Sequence, residues 1–152
     1  MTRMPQHWLM KSEPDEVSID DLARAPHQTL AWTGVRSYQA RNFMRDLMQA
    51  GDGVLFYHSS CAKPGIAGLA RVVGKAEPDA TQFDADSRYF DSKSSAERPR
   101  WLQIDVQLER STRLLSLAEM RGQPGLASMR VLQRGNRLSI TPVSADEWQA
   151  VL

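Results

Sequence analysis

The chain has 152 residues, of which 41% are apolar and 24% are charged, and this composition is typical of a folded globular domain. A chain of this length can bury its own core without disulfides or metal ions, and it suits one domain better than two. The formal net charge of +1 argues against a protein that binds nucleic acid by bulk charge alone.

The sequence predicts a cytoplasmic protein. Cys61 is the only cysteine, so no disulfide forms within the chain, which favours a reducing compartment. Residues 1–10 lack the apolar run of a signal peptide, and no stretch approaches the roughly 18 apolar residues of a membrane span. We therefore expect no membrane partner.

The positive charges are concentrated in one part of the chain. Residues 98–137 contain eight arginines and three acidic residues, a local net charge of +5. This distribution favours a localised anion-binding site, with a solvated, arginine-rich face as the equally weighted alternative.

In the first half of the chain, residue patterns predict strands and helices in turn. Residues 8–10 are expected to form a strand that stops before Pro14. Ser18 has the chemistry of an N-cap for a short helix over 19–25. Apolar residues at helical spacing predict a longer helix over 37–50, with Gly51 as its C-terminal stop.

Two strands are expected next, over 53–60 and 66–74, joined by a turn at 63–65. The segment 77–100 reads as a long loop that contains three aromatic residues, and a loop of this length is often functional. Alternating apolar and polar residues over 102–109 predict a half-buried strand.

The C-terminal part has two capping-box patterns. Ser116 with Glu119, and Ser144 with Glu147, each predict a helix start. A last strand is expected around Leu138 and Ile140, after a turn at 135–136. The mixed order of elements predicts an α+β fold with a small curved sheet or pseudo-barrel and flanking helices.

The sequence contains none of the common catalytic or phosphate-binding motifs. The sequence has no glycine-rich phosphate loop and no G-x-S-x-G nucleophile elbow. His58 and Cys61 are close, but no second pair has metal-ligand spacing, so we predict no metal and no cofactor. A structural thiol is favoured over a nucleophile at Cys61. We predict no catalytic residue.

The block from Trp32 to Asn42 concentrates groups that suit recognition of a flat ligand. Trp32 offers a stacking surface, Arg36 a planar guanidinium, and Asn42 a paired donor and acceptor. Gly34 allows a sharp turn or close backbone approach. A lone tryptophan is more often part of the core, but these polar neighbours favour a binding pocket.

Seven stretches, taken together, resemble the EVE domain family, a branch of the PUA-like superfamily. They are WLMKSEP (8–14), WTGVRSYQARNFMR (32–45), GDGVLFYHS (51–59), PGIAG (64–68), and the segments 83–91, 99–101 and 134–139. Small departures occur at Thr33, Ser37 and Phe90. The resemblance implies one EVE domain over residues 1–152, with a pseudo-barrel of five to six mainly antiparallel strands and flanking helices.

EVE domains are similar to YTH domains, which hold a methylated adenine in an aromatic cage, and some EVE domains are associated with modified DNA bases. The resemblance therefore implies a protein that reads a modified base in nucleic acid, with DNA and RNA both open. The base, flipped or single-stranded, is expected to stack on Trp32.

The expected site residues extend beyond Trp32. The ligand-binding set is Lys11, Ser12, Trp32, Val35, Arg36, Tyr38, Asn42, Tyr57, His58, Ser59 and Trp101. Within it, Lys11 and Ser12 are expected to read the base edge, Tyr57 and Trp101 to add cage walls, and Asn42 to bind or to brace the loop. Arg36, Arg100, Arg134 and Arg137 are expected to contact phosphates.

Two other functions stay open at this point. ASCH domains, another PUA-like branch, include hydrolases of acylated cytidine that use Lys and Glu, and Lys11 and Glu13 fit that alternative. The third possibility is a module that binds small molecules or proteins without nucleic acid, which the low net charge favours.

Overall fold

One mixed sheet organises the part of the chain that the structure describes, residues 5–133 and 138–152 of a computed structural model. The strands are β1 (His7–Ser12), β2 (Thr29–Trp32), β3 (Gly53–His58), β4 (Gly65–Val72), β5 (Glu77–Pro78), β6 (Leu102–Ser116) and β7 (Ile140–Val143). The α-helices are α1 (Ile19–Arg24), α2 (Tyr38–Asp46), α3 (Leu117–Arg121) and α4 (Ala145–Val151). None of these described helices is long and apolar enough to cross a bilayer.

The strands lie in the order β2-β6-β4-β3-β1-β7, and β5 pairs with β6. β1 and β3 are parallel, and the other neighbours are antiparallel. The α+β prediction is confirmed. The described strands, however, form an open seven-stranded sheet with β2 and β7 at opposite ends of the path, rather than a pseudo-barrel of five to six strands.

Alternation along the strands separates two apolar cores, one on each face of the sheet. In β3, Val54 and Phe56 point into a first core, which α1 and α2 cover. Leu55 and Tyr57 point into a second core, which α3 and α4 cover. Side chains one residue apart in this strand therefore belong to opposite faces of the molecule.

Serine N-caps define where the helices begin. Ser18, Ser116 and Ser144 each form the capping box with an acidic residue three positions later, as predicted for the second and third of them. Ser37 caps α2 by accepting a hydrogen bond from the Ala40 backbone N–H.

α2 ends at Asp46, four residues before the predicted end. The buried carboxylate of Asp52 accepts hydrogen bonds from the Gln49 backbone N–H (3.0 Å), the Gln6 N–H (3.1 Å) and the Trp8 indole (3.0 Å). Because the Gln49 N–H bonds to this carboxylate, the chain after Asp46 forms a turn instead of continuing the helix. Gly51 completes the turn with φ 95°. Tertiary hydrogen bonds thus override the helical periodicity.

The predicted strands are found, with shifted ends. The strand expected over 102–109 continues to Ser116 and shifts register twice against β4. The predicted loop 77–100 is mostly irregular, but it contains β5 and a 3₁₀ turn over Ala80–Phe83. The predicted turn at 135–136 lies outside the described residues.

His58 joins the end of β3 to the start of α1. Its Nε2 atom accepts a hydrogen bond of 3.1 Å from the Ile19 backbone N–H, which is one of the donors that the first turn of a helix leaves free. Burial lowers the pKa of His58 below its ordinary value of 6.5, with a smaller opposing effect from Asp20. The neutral imidazole is therefore the form that the fold stabilises.

The pKa of His58 predicts a pH dependence of stability. Because the folded-state pKa is lower than the unfolded-state value, the unfolded chain binds more protons as pH falls through about 6.5, so stability is lost on acidification. We expect His58→Gln, which keeps an acceptor but does not titrate, to lose less stability than the wild type between pH 7.5 and pH 5.5. Urea unfolding at both pH values measures this difference. Burial lowers the pKa of His7 as well, so a residual slope is expected; an unchanged slope in His58→Gln contradicts the assignment.

Candidate functional site

A cavity of about 360 Å³ opens on the face of the sheet that carries the first core. Its walls come from the ends of β1 and β3, from β2, and from the turn that follows Trp32. Tyr89, in the long segment between β5 and β6, closes another side. The cavity is within the range of small-ligand sites in proteins, roughly 300–1,000 Å³.

Trp32, which we predicted to stack on the base, is one of the apolar residues that line the cavity. It is the last residue of β2 and is 9% exposed. Its ring meets Phe56 edge-on, with ring centroids 5.2 Å apart. Val35, which is buried, lines the same cavity. Trp32 therefore both packs in the core, against Phe56, and lines the cavity.

Tyr89 is an aromatic wall that the sequence analysis missed. Its ring packs directly on the backbone of Gly34, where an added Cβ would lie 2.8 Å from the ring. Gly34 also has φ 83°, so both the conformation and the close contact require glycine. The available signal was the aromatic content of the loop 77–100, but nothing in the sequence indicated which of its rings turns inward.

The Tyr89 hydroxyl donates hydrogen bonds of 2.7 Å to the Glu16 carboxylate across the cavity rim. Burial, followed by the contacts with Glu16, raises the pKa of Tyr89 to about 12. The side chain is thus a neutral donor at physiological pH. Arg88 also pairs with Glu16 at 3.2 Å, so this carboxylate is already engaged by two partners.

Arg36 holds the Tyr89 segment in place. Its guanidinium donates to the Tyr89 carbonyl oxygen (3.2 and 2.7 Å), Asp79 Oδ2 (3.1 Å), Thr81 Oγ1 (3.1 Å) and its own neighbour, the Val35 carbonyl (2.9 Å). A guanidinium has five N–H donors, and these five bonds use all of them. Arg36 therefore positions the wall and has no free donor for the ligand or phosphate contact that we predicted.

Asp79 is the buried partner of Arg36, and the two residues are here called the Arg36–Asp79 clamp. Its side chain is 0% exposed, and it accepts hydrogen bonds from Arg36, from the Gly34 backbone N–H (2.8 Å) and from the Thr81 backbone N–H (2.7 Å). One carboxylate thus joins the turn after β2 to the segment that carries Tyr89.

The other end of the cavity is polar. Lys11 and Ser12, at the end of β1, are among its lining residues, together with Ser59. Ser60 and Ser139 lie there as well, and neither was predicted. Burial lowers the pKa of Lys11 below its ordinary value. The carboxylates of Glu13 and Glu16 line the same cavity.

Two predicted residues of β3 do not line the cavity. Tyr57 points into the second core, on the opposite face of the sheet, where burial raises its pKa. His58 caps α1 instead. Their placement follows from the strand alternation, which sends Phe56 to the cavity and its neighbour Tyr57 away from it.

Another predicted group lies beside α2, outside the cavity lining. Tyr38, which is half-exposed, stacks on Trp101 with centroids 4.9 Å apart. The Trp101 indole donates to Asp91 (2.8 Å), so it is fixed in the loop rather than in the cavity wall. Asn42 Oδ1 accepts two hydrogen bonds from Arg41, so this oxygen is engaged.

Two of the predicted phosphate-binding arginines, Arg36 and Arg100, are absent from the lining of the cavity. The Arg100 guanidinium lies 3.9 Å from Asp91 and is absent from the cavity lining. Arg134 and Arg137 lie outside the described residues.

The clamp predicts a large loss of stability when its carboxylate is removed. Asp79→Ala leaves the Arg36 charge and two backbone donors without their acceptor, so we expect a loss of about 3 kcal/mol in the free energy of unfolding. Urea denaturation measures it. Asp46→Ala is the matched control, because Asp46 pairs with Arg45 on the surface, with both side chains 52% exposed, and we expect no measurable change. Equal effects of the two substitutions contradict the clamp.

Comparison with known proteins gives consistent relatives over almost the whole chain. Human thymocyte nuclear protein 1 is 41% identical over 100% of this chain and 75% of its own length. A crystal structure of a Pseudomonas syringae protein has 46% identity and a TM-score of 0.90, covering 95% of this chain and 96% of that one. The structure of the human THYN1 protein in complex with 5-methylcytosine-containing DNA has 43% identity and a TM-score of 0.88, covering 96% and 95%.

An ASCH protein from Zymomonas mobilis is 11% identical, with a TM-score of 0.55 over 96% of both chains, which shows similarity of fold alone. The family model described as "EVE domain" matches residues 6–152. The chain therefore belongs to the EVE domain family.

Proposed function

We propose that this protein binds a modified base of DNA, with 5-methylcytosine as the leading candidate, by inserting the base into the cavity beside Trp32. The observation that carries the proposal is an aromatic-walled cavity of about 360 Å³ with polar groups at one end. The flat faces of a base fit against aromatic walls, and polar groups in the cavity supply hydrogen bonds to its edge.

The relatives support the choice of ligand. The human THYN1 protein, which is 43% identical, has a structure in complex with 5-methylcytosine-containing DNA. A methyl group adds apolar surface to cytosine, and the wall formed by Trp32, Phe56 and Leu30 is the part of the cavity that such a group would contact. The predicted cytoplasmic location is part of this proposal, although the human relative is named a nuclear protein.

The base must leave the duplex to enter this cavity. Trp32 is 9% exposed, so no base within a stacked helix reaches its face. Flipping costs a few kcal/mol, and the cost is smallest for an unpaired base. Single-stranded DNA is therefore the most direct ligand for a first measurement.

Replacement of Trp32 is expected to weaken binding of the base, and the size of this loss tests the proposed site. Stacking of a base on an aromatic ring contributes about 1–3 kcal/mol, so Trp32→Ala is expected to weaken binding about tenfold to a hundredfold. The measurement is calorimetric titration with a single-stranded oligonucleotide that carries one 5-methylcytosine, beside the same oligonucleotide with cytosine and an RNA version.

The control must separate loss of the site from loss of the fold. Trp148→Ala removes a tryptophan from the second core, on the opposite face of the sheet, and is expected to lower stability without changing affinity at a temperature where it is folded. Trp32→Phe keeps a stacking ring and is expected to retain most of the binding. If Trp32→Ala binds as well as the wild type, or if the wild type does not distinguish the two bases, the proposed function is wrong.

A second candidate is hydrolysis of an acylated cytidine, because Lys11 and Glu13 line the same cavity. The chromatographic assay is incubation with N4-acetylcytidine, with release of cytidine as the product. We expect no turnover above the rate without protein. Turnover that disappears in Glu13→Gln establishes the hydrolase instead.

A further inference from the structure

Exposed aromatic residues occur at the start of α2 and in the segment between β5 and β6. Among residues 5–133 and 138–152, the exposed tyrosine and phenylalanine residues are Tyr38, Phe83 and Phe90. Tyr38 is the first residue of α2 and is 51% exposed. Phe90 directly follows Tyr89, which lines the cavity. Scattered exposed aromatic residues are ordinary, but exposed aromatic residues next to a ligand cavity indicate a contact surface.

Arg36 connects the cavity wall to the ring on which Tyr38 stacks. Its guanidinium carbon lies 5.4 Å from the centre of the Tyr89 ring and 5.4 Å from the centre of the Trp101 ring. Trp101 stacks on Tyr38, with ring centroids 4.9 Å apart and an interplanar angle of 26°. The exposed Tyr38 is therefore separated from the cavity wall by one guanidinium and one indole.

Arg41 places a positive charge at this stack. Its guanidinium carbon lies 4.8 Å from the centre of the Tyr38 ring. The guanidinium donates one hydrogen bond to the Arg100 carbonyl (3.0 Å) and two to Asn42 Oδ1 (3.1 and 2.7 Å). These bonds leave two of its five N–H donors without an acceptor in the described part of the chain, and no carboxylate there forms an ion pair with it.

Arg100 adds a second guanidinium beside the same indole. Its side chain is 38% exposed and lies 3.9 Å from Asp91 Oδ2, which is beyond hydrogen-bond distance. Asp91 Oδ2 instead accepts a hydrogen bond of 2.8 Å from the Trp101 indole. Of the other carboxylates near α2, Asp79 is held by Arg36, and Asp46 pairs with its neighbour in the helix. An exposed ring is thus combined with two arginines that have donors to spare.

We propose that this surface, formed by Tyr38, Trp101, Arg41 and Arg100 and here called the Tyr38 surface, binds the single strand of DNA next to the flipped base. This rests on the proposed function, and it specifies where the polymer outside the cavity lies. Tyr38 contacts the neighbouring base, and the two arginines donate to backbone phosphates. Aromatic rings stack on any base, and phosphate contacts carry no sequence information, so this surface adds affinity without a preference for the flanking sequence.

The experiment is calorimetric titration of the full chain with 5-methyl-2′-deoxycytidine and with a DNA trinucleotide that carries 5-methylcytosine at its centre. We expect the trinucleotide to bind about tenfold tighter than the nucleoside or better, the scale of one base stacked on an aromatic ring. Dinucleotides extended only on the 5′ side or only on the 3′ side identify which neighbour occupies the Tyr38 surface.

Tyr38→Ala is expected to remove most of this gain, whereas the affinity for the nucleoside is retained because Tyr38 does not line the cavity. Tyr38→Phe keeps the ring and its stack on Trp101, so it is expected to behave as the wild type. Urea unfolding of each variant shows that it is folded under the conditions of the titration.

Arg41 is tested by the salt dependence of trinucleotide binding. Loss of one phosphate contact in Arg41→Gln is expected to make the plot of log affinity against log salt concentration shallower by about 0.7. Arg41→Lys keeps the charge and should keep the slope. Arg110→Gln is the matched control, because it removes an equal charge from an exposed position of β6 that lines a different pocket, with Ile66 and Leu69 of the second core. It should behave as the wild type.

Equal affinity of the wild type for the nucleoside and the trinucleotide overturns the Tyr38 surface and leaves the base site intact. Trinucleotide affinity and salt dependence that are unchanged in both Tyr38→Ala and Arg41→Gln also overturn it, because the flanking strand then lies elsewhere. Trinucleotides of cytosine and 5-methylcytosine that bind equally, while Tyr38→Ala weakens both, contradict the proposed function and not the Tyr38 surface. Absence of binding by every ligand contradicts both.

Discussion

The cavity depends on one buried ion pair, between Asp79 and Arg36. Burial of a lone carboxylate is costly, and Asp79 is stabilised because the guanidinium and two backbone N–H groups surround it. Arg36 in turn holds the carbonyl of Tyr89, so the segment between β5 and β6 is fixed against the turn after β2. The pair therefore positions Tyr89, which lines the same cavity as Trp32.

Gln82 also fixes the segment between β5 and β6 through buried side-chain hydrogen bonds. It is fully buried; its amide donates to the carbonyls of Asp79 and Trp101, and its side-chain oxygen accepts from the backbone N–H groups of Arg100 and Trp101. A long irregular segment leaves many backbone groups without sheet or helix partners, and one glutamine satisfies four of these. The loop is therefore an ordered part of the cavity wall, with its position set by side-chain hydrogen bonds.

The arrangement of the cavity is compatible with the low net charge of the chain. Glu16, which lines the cavity, pairs with Arg88 and accepts a hydrogen bond from Tyr89. Recognition in this arrangement comes from aromatic contact and from a few directed hydrogen bonds. A net charge of +1 is compatible with a site that holds its ligand by directed contacts rather than by bulk electrostatics.

The α+β class, the capping boxes at Ser116 and Ser144, and the alternation of β3 were all predictable from the sequence, because they depend on local spacing. Trp32 and Lys11, which we predicted from motifs that are continuous in the chain, are among the residues that line the cavity. Long-range contacts explain why Tyr89 lines the cavity while Tyr57 does not, and why Arg36 donates all its hydrogen bonds within the protein. Those outcomes depend on which strand face is covered and on contacts between residues more than 40 positions apart, which local patterns do not encode.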